Sequence, residues 1–116
     1  MHEYGLCEGI LDAVRARAAG RQVAEVRIRA GARHGVVHES MSQAFQHMAA
    51  GTEAADAVVD LVVIPMSLHC EACDANGHTD DFLATCPICG SDRVELTGGD
   101  ELTLESIRYA GVRTAT

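Results

Sequence analysis

The sequence predicts an α+β fold in which two helices pack on a three-stranded mixed sheet, with a cysteine-rich lobe inserted before the last strand. Three observations predict it. Two segments carry apolar residues at helical spacing, three segments have strand-like patterns, and two Cys-x-x-Cys pairs lie between the second and third strands. We expect residues 1–65 plus 97–116 to form one domain and residues 66–96 to form a metal-binding lobe.

The first predicted elements are a helix and a strand. From Tyr4 to Ala19 apolar residues recur every three or four positions, and Gly20 closes this amphipathic helix. From Val23 to Ala30 apolar and polar residues alternate, which is the period of a half-buried strand. Arg27 and Arg29 share its polar face, which is either solvated or a docking face for an acidic partner.

A turn and a second helix follow. Residues 31–35 begin and end with glycine and predict the turn. Ser40 and Gln43 have the spacing of a capping box, which predicts a helix that begins there and ends at Gly51.

Two further strands complete the predicted sheet. Residues 58–64 are apolar on both alternating faces except at Asp60, which predicts a central strand covered on both sides, and Pro65 ends it. Residues 102–109 predict the last strand. The Gly/Asp-rich residues 74–81 and 98–100 are expected to be loops beside the lobe.

Composition excludes several classes of protein. The net charge is −8 and all nine basic residues are arginine, so a phosphate-binding surface is not expected, and 3% aromatic residues provide few platforms for stacking bases. The chain lacks a signal peptide pattern and an apolar run long enough to span a membrane, so we predict a cytoplasmic protein without a membrane partner. No nucleophile, carboxylate pair or phosphate loop is visible, which argues against an enzyme.

The four cysteines Cys70, Cys73, Cys86 and Cys89 predict a tetrahedral metal site. Zinc is favoured, although the Cys-Pro-Ile-Cys-Gly sequence also permits iron of the rubredoxin type. Four thiolates leave no position for water, so the site is expected to be structural, or a sensor of a partner or of pH, rather than catalytic. Such a site is also typical of a rubredoxin-like carrier or a zinc-ribbon binding module, and the acidic lobe argues against nucleic acid as the ribbon's partner.

His69 and His78 lie in the lobe. They are either solvated loop histidines, the simpler interpretation, or replacements for a cysteine when acid or a second metal perturbs the site. On the first helix, Cys7 falls on the apolar stripe and is expected to be a small buried hydrophobe.

The amino terminus offers a different metal site. The Met1 amine, a backbone amide nitrogen and the His2 imidazole can chelate one ion through fused rings, a nitrogen-rich planar arrangement that suits Ni(II) or Cu(II). The alternative is an exposed terminal histidine without a metal.

Several motifs together resemble one family. In chain order they are Met1-His2-Glu3, Leu6 to Leu11, Gly31-Ala32 with Gly35-Val36, Ala44-Phe45, Gly51-Thr52, Cys70-x-x-Cys73, Cys86-Pro87-x-Cys89-Gly90-Ser91, and Gly99 to Leu102. This set is similar to the HypA/HybF family of hydrogenase nickel-incorporation proteins, and the resemblance extends to about Tyr109.

The resemblance implies a nickel metallochaperone that carries a zinc lobe. It implies that nickel is held by the Met1 amine, the imidazole and amide of His2 and the amide of Glu3, with the Glu3 carboxylate assisting. It also implies delivery of nickel to the large-subunit precursor of nickel-iron hydrogenase, together with a HypB-type GTPase. Some members of the family also serve urease.

Two positions depart from the family pattern. Val37 stands where many members carry an acidic residue, and Asp74 stands where glycine often follows the first cysteine pair. His38 and Glu39 follow Val37 but are not assigned as ligands. Asp74 is expected to change only the turn, because the four sulfurs remain.

Overall fold

The computed structural model describes residues 2–111, with side chains from Tyr4 onward. Its helices and strands are, in chain order, α1 His2–Ala18, β1 Val23–Gly31, a short 3-10 helix Ala32–His34, α2 His38–Ala49, β2 Val58–Ile64, β3 Met66–Cys70, β4 Asn76–Thr79, β5 Val94–Thr97 and β6 Leu102–Tyr109. The two helices and the three-stranded sheet of the predicted α+β class are confirmed.

The chain folds into two compact units. The first unit lies within the ranges Met1–Arg29, Val36–Val62 and Thr103–Thr116, and the second within Ala30–Gly35 and Val63–Leu102. The short segment Ala30–Gly35 belongs to the second unit, an assignment that no sequence pattern indicated.

The first unit is built from α1, α2 and a sheet of strand order β2-β1-β6. Its core is aliphatic because the chain has so few aromatic residues, and its largest fully buried side chains include Phe45, Ile28, Met41 and Val14. Cys7 is also fully buried, and its thiol lies 3.2 Å from the Met41 sulfur. The expectation that Cys7 packs as a small hydrophobe is therefore confirmed.

Three details of the predicted elements are wrong. The central strand is β1 rather than β2, which is an edge strand with Val58 and Val63 exposed. An apolar run in the sequence indicates that a strand is hydrophobic, but it does not show which strands lie beside it in the sheet. Helix α2 begins at His38 with Val37 as its N-cap and no capping side chain, so Ser40 is not the cap. Residues 74–81, predicted as a loop, contain β4.

The start of α2 is fixed by contacts that the sequence pattern does not contain. Gly35 has a left-handed backbone, with φ of 65°, that ends the 3-10 helix, and the Met41 amide donates to the Val37 carbonyl to begin the α-helical ladder. The His38 ring lies 2.9 Å from the Val59 carbonyl oxygen through Nε2. Glu39 in the first turn complements the positive end of the helix dipole.

The arginines on the polar face of the first sheet pair with carboxylates of the neighbouring strands. Arg27 forms a 2.7 Å ion pair with Asp60, and the Arg29 guanidinium lies 3.3 Å from Glu105. Hydrogen bonding to Asp60 raises the pKa of Arg27. This cross-strand pairing favours the solvated-face interpretation over a docking face for an acidic partner.

The second unit contains a three-stranded antiparallel sheet of strand order β4-β3-β5. Ser67 of β3 is paired with His78 of β4 and with Thr97 of β5, and His69 is paired with Asn76 of β4 and with Glu95 of β5. No helix among residues 2–111 is both long and apolar enough to cross a membrane.

Candidate metal centre

Each Cys-x-x-Cys pair is held by the same backbone turn. In the first pair the amide of Asp74 donates to the Cys70 carbonyl, and the Cys70 amide donates to the Ala75 carbonyl, both at 2.9 Å. The second pair repeats this pattern, with the Gly90 amide on the Cys86 carbonyl and the Cys86 amide on the Ser91 carbonyl, again at 2.9 Å. The two turns therefore present their sulfurs in equivalent ways.

The residue after each pair adopts a left-handed backbone. Gly90 has φ of 77°, and Asp74 has φ of 62° at the equivalent position of the first turn. Aspartate is one of the few residues besides glycine that tolerate this conformation. The departure at Asp74 therefore leaves the turn intact, and the expectation that Asp74 changes the turn is wrong.

The four cysteine sulfurs converge on one point. Their Sγ atoms all lie within 4.8 Å of one another, and the Cys70–Cys89 and Cys73–Cys86 sulfur pairs are each 3.6 Å apart. A zinc–sulfur bond of about 2.3 Å in a regular tetrahedron separates its sulfurs by about 3.8 Å. The predicted cysteine cluster therefore forms and fits a tetrahedral ion.

The cluster is half covered by protein. Cys70 and Cys86 are buried, whereas Cys73 and Cys89 are exposed. Backbone amides approach the Cys86 sulfur from its own turn, Ile88 at 3.4 Å and Cys89 at 3.5 Å. Such amide donors stabilise a thiolate. In the sequence only the rubredoxin-like Cys-Pro-Ile-Cys-Gly spacing indicates them, because no side-chain pattern does.

The cysteines of the cluster differ in how readily they lose a proton. The backbone amides of Cys89 and Ile88 lower the pKa of Cys86 to about 6. The Ala75 amide lowers the pKa of Cys73, but burial and the hydrogen bonds from Cys86, Cys89 and Cys70 outweigh it and raise the pKa to about 12. Protons remain in the cluster at neutral pH, so metal binding must release them.

The two lobe histidines lie outside the cysteine cluster. His69 precedes Cys70 on β3, and successive strand residues point to opposite faces of a sheet. Its ring contacts the Asn76 side chain at 2.9 Å and the Asp74 carboxylate at 3.5 Å, and His78 is exposed on β4. This arrangement favours solvated histidines over replacements for a cysteine.

The predicted nickel ligands fall at the edge of the described structure. Met1 lies outside the described residues, and so do the side chains of His2 and Glu3, although His2 begins α1. The nearest described side chain of α1 is Tyr4, whose ring packs edge-on against His47 of α2 at 5.9 Å between centroids.

The described residues near Val37 offer no side-chain metal cluster. His38 binds the Val59 carbonyl, and Glu39 lies 3.5 Å from the Gln43 amide nitrogen in the next helical turn. Among the side chains that the structure describes, residues 4–111, the only group of three or more metal-ligating side chains is the cysteine cluster.

The fold and the site define a small α+β protein of two units with a closed four-cysteine metal centre. Residues 1–109 match the HypA family, described as hydrogenase/urease nickel incorporation, metallochaperone. The chain therefore belongs to the HypA family, and the resemblance found in its motifs is confirmed.

Curated relatives agree over nearly the whole chain. The chain is 35% identical to a hydrogenase maturation factor HypA of Prosthecochloris aestuarii over 111 residues, covering 92% of this chain and 97% of the relative. It is 34% identical to the corresponding protein of Paracoccus denitrificans over 110 residues, with coverage of 92% and 97%.

A solved structure agrees in fold. The solution structure of the Ni metallochaperone HypA from Helicobacter pylori superposes with a TM-score of 0.59 at 23% identity, covering 94% of this chain and 97% of that one.

Proposed function

We propose that this protein is a nickel metallochaperone that binds Ni(II) at its amino terminus and delivers it to the large-subunit precursor of nickel-iron hydrogenase. One observation carries the proposal: residues 1–109 match a family described by nickel incorporation into hydrogenase and urease. On this basis we assign the nickel site to the first unit and the structural metal to the second.

The proposed nickel ligands are the Met1 amine, the His2 imidazole and amide, and the Glu3 amide, with the Glu3 carboxylate assisting. Four nitrogens in fused chelate rings suit the square-planar preference of Ni(II). A delivery protein must also surrender its metal. A terminal chelate with one imidazole is easier to open than a closed cage of four side chains.

The proposed resident metal of the second unit is zinc. The four converging sulfurs supply a closed tetrahedral shell, which is the arrangement of structural zinc sites. A rubredoxin-like iron centre uses the same shell, so elemental analysis of the purified protein separates the two. One zinc per chain and no visible absorption are expected, whereas a red protein that contains iron contradicts the assignment.

The proposal includes partners and excludes catalysis. A HypB-type GTPase and the hydrogenase precursor are the expected partners, with urease maturation as a second destination. The only metal-ligating cluster among the described residues is closed, with no position for a substrate or water, which supports a non-enzymatic role.

Nickel titration of the untagged, zinc-loaded protein tests the terminal site. Wild-type protein is compared with His2→Ala and with a variant extended by one residue at the amino terminus, which displaces the amine. Because both changes remove nitrogen ligands, each is expected to weaken Ni(II) binding by about tenfold or more.

His47→Ala is the matched control, because His47 is an exposed histidine of the first unit that the proposal does not use. Nickel affinity and stoichiometry in both test variants equal to those of wild type would show that the terminal site is wrong. Nickel transfer to the apo hydrogenase precursor, measured with and without the GTPase, tests delivery separately.

A further inference from the structure

Two large apolar side chains of the second unit are almost fully exposed. Leu83 is 87% exposed and Ile88 is 76% exposed, and Phe82 beside Leu83 is 48% exposed. Exposed apolar side chains that form a contiguous patch mark interaction sites, whereas scattered ones need no explanation. Only four residues separate Leu83 from Ile88, so an extended chain places them at most about 18 Å apart.

Both side chains stand on ordered turns. The Leu83 amide donates to the Asp81 carboxylate at 2.8 Å, and the Asp81 amide donates to the Thr79 hydroxyl at 3.0 Å. Ile88 lies within the second cysteine turn, where its amide faces the Cys86 sulfur. The hydrogen-bonded turns therefore hold the backbone at Leu83 and Ile88, which lowers the entropy cost of binding a partner.

The second unit is strongly acidic. It holds two of the nine arginines, Arg33 and Arg93, and eight of the 17 acidic residues, which are Glu71, Asp74, Asp80, Asp81, Asp92, Glu95, Asp100 and Glu101. The Arg33 guanidinium donates to the carbonyl oxygens of Gly98 at 3.0 Å and Leu96 at 3.2 Å, and it lies 5.9 Å from the centroid of the Phe82 ring. A divalent ion held by four thiolates adds further negative charge.

The two units differ in how they neutralise their acidic side chains. In the first unit Glu25, Glu53, Asp60 and Glu105 each pair with an arginine. Across the described ranges of the second unit, no carboxylate pairs with an arginine, and only Asp74 approaches a histidine. The negative charge around Leu83 and Ile88 is therefore available to a partner.

We propose that residues 80–84 and 86–90, the docking loops, bind a segment of a partner protein that presents apolar side chains together with arginine or lysine. Apolar partner side chains would cover Leu83 and Ile88, and cationic ones would meet Asp80 and Asp81. The same charge repels nucleic acid, anionic lipid surfaces and a second copy of this acidic lobe.

This surface does not depend on the proposed nickel site. It rests on exposure and charge in the second unit, so it stands or fails separately from metal binding at the amino terminus.

Peptide binding to the full-length, zinc-loaded protein tests the docking loops. The probe is a fluorescently labelled amphipathic peptide of leucine and arginine, compared with a leucine/glutamate peptide and a serine/arginine peptide of equal length. We expect only the leucine/arginine peptide to bind measurably in fluorescence anisotropy. L83S/I88S is expected to weaken its binding by about tenfold or more, since apolar contacts are lost.

A charge variant tests the second half of the surface. D80N/D81N is expected to weaken binding severalfold and to reduce the dependence of the Kd on salt. The matched controls are V37S/V58S, two exposed apolar residues of the first unit, and E8Q/D12N, two acidic residues of α1. Both controls are expected to bind like wild type.

Amide chemical shifts locate the peptide. The proposal predicts changes concentrated in residues 80–90, and retained zinc content confirms that the variants are folded. Equal Kd values for wild type and L83S/I88S, or binding of the leucine/glutamate peptide as tight as that of the arginine peptide, would overturn it. An E8Q/D12N effect as large as that of D80N/D81N would do the same, because binding would then follow net charge alone.

Discussion

Two glycines of the second unit are required by close backbone packing. A Cβ atom on Gly31 would lie 1.9 Å from the Gly99 carbonyl oxygen and 2.6 Å from the Asp100 nitrogen. A Cβ atom on Gly99 would lie 2.6 Å from the Met66 side chain, and Gly99 has φ of 72°. These contacts fasten the end of β1 to the segment before β6, where the Gly31 amide donates to the Glu101 carbonyl at 2.7 Å.

Gly31→Ala is therefore expected to lower the free energy of unfolding of the second unit by about 3 kcal/mol, because backbone atoms cannot move aside as a flexible side chain can. Hydrogen exchange of β3 and β5 amides measures the effect. Gly77→Ala is the matched control, since its Cβ meets nothing within 4 Å and its φ is not positive. Equal effects of the two variants would show that the backbone shifts to relieve the clash at residue 31.

Asp74 offers a second prediction at the scale of one residue. Its φ of 62° places a side chain in the left-handed region, and its carboxylate is 88% exposed with only His69 nearby. Asp74→Gly is expected to stabilise the lobe by up to about 1 kcal/mol, and Asp74→Ala to destabilise it by a similar amount. Chelator competition for the bound metal and amide exchange measure both, and the reverse order of stability contradicts the strain argument.

At the scale of elements, the sequence predicted those with strong local patterns. The bounds of β2 and β6 were correct and those of α1 and β1 nearly so, because apolar periodicity is set by burial within each element. The strands of the lobe were missed. The four-residue segment Asn76–Thr79 carries no apolar alternation, and its strand conformation depends on pairing with β3.

The sequence likewise predicted only part of the candidate site. Cysteine spacing predicted the cluster because each short turn fixes its two sulfurs locally. Spacing could not predict that Cys70 and Cys86 are buried or that His69 points away from the cluster, since both depend on how the lobe folds. The nickel ligands at Met1, His2 and Glu3 remain a prediction.

Helix α1 contains two glycines that its own packing does not require. A Cβ atom on Gly5 or on Gly9 would meet nothing within 4 Å. Glycine inside a helix is less stable than alanine by about 0.5 to 1 kcal/mol, chiefly through backbone entropy. Gly5→Ala and Gly9→Ala are each expected to raise the stability of the first unit by that amount in urea unfolding followed by helical circular dichroism at 222 nm.

Gly20→Ala is the comparison variant, because Gly20 has φ of 88° and follows the helix end. It is expected to destabilise the first unit. Destabilisation by Gly5→Ala or Gly9→Ala in the isolated protein would mean that the helix requires glycine for a reason other than space.

The ion pair between Arg15 and Glu53 predicts how the first unit responds to acid. The backbone amide of Glu53 and the Arg15 guanidinium at 2.8 Å lower the pKa of this carboxyl from its ordinary value of 4.5. The stabilisation is therefore complete above pH 4.5 and is lost as the pH falls through the lower native pKa.

Glu53→Gln is expected to flatten this acid limb when helical unfolding is followed as a function of pH. Glu8→Gln, an exposed position of α1, is the control and is expected to leave the limb unchanged. An acid limb that is the same in Glu53→Gln and wild type would assign the pH dependence to other carboxyls.

At the scale of the whole molecule, the two units differ in what stabilises them. Most of the buried apolar side chains belong to the first unit, whereas those of the second are few, namely Ala30, Ala32, Met66, Leu68, Cys70 and Cys86. Two of these six belong to the cysteine cluster, which is the proposed metal site. A domain with so small a core depends on its metal, because binding free energy supplies folding free energy.

Removal of the metal by a chelator under reducing conditions is therefore expected to unfold the second unit and to leave the first folded. Both helices belong to the first unit, so the circular dichroism at 222 nm should persist while the amides of β3, β4 and β5 lose their protection from exchange. Cys86→Ser should reproduce this state without chelator, since removal of one thiolate opens the closed shell.

Val14→Ala tests the converse, in which the first unit is destabilised and the second keeps its metal. Val14 is fully buried in α1, and its truncation is expected to lower the free energy of unfolding of the helices by about 1 to 3 kcal/mol while metal content stays at the wild-type level. Loss of helical signal together with the metal would show that the two units unfold as one, and the division of structural roles between them would then be wrong. Retention of lobe protection without metal would instead assign its stability to the sheet alone.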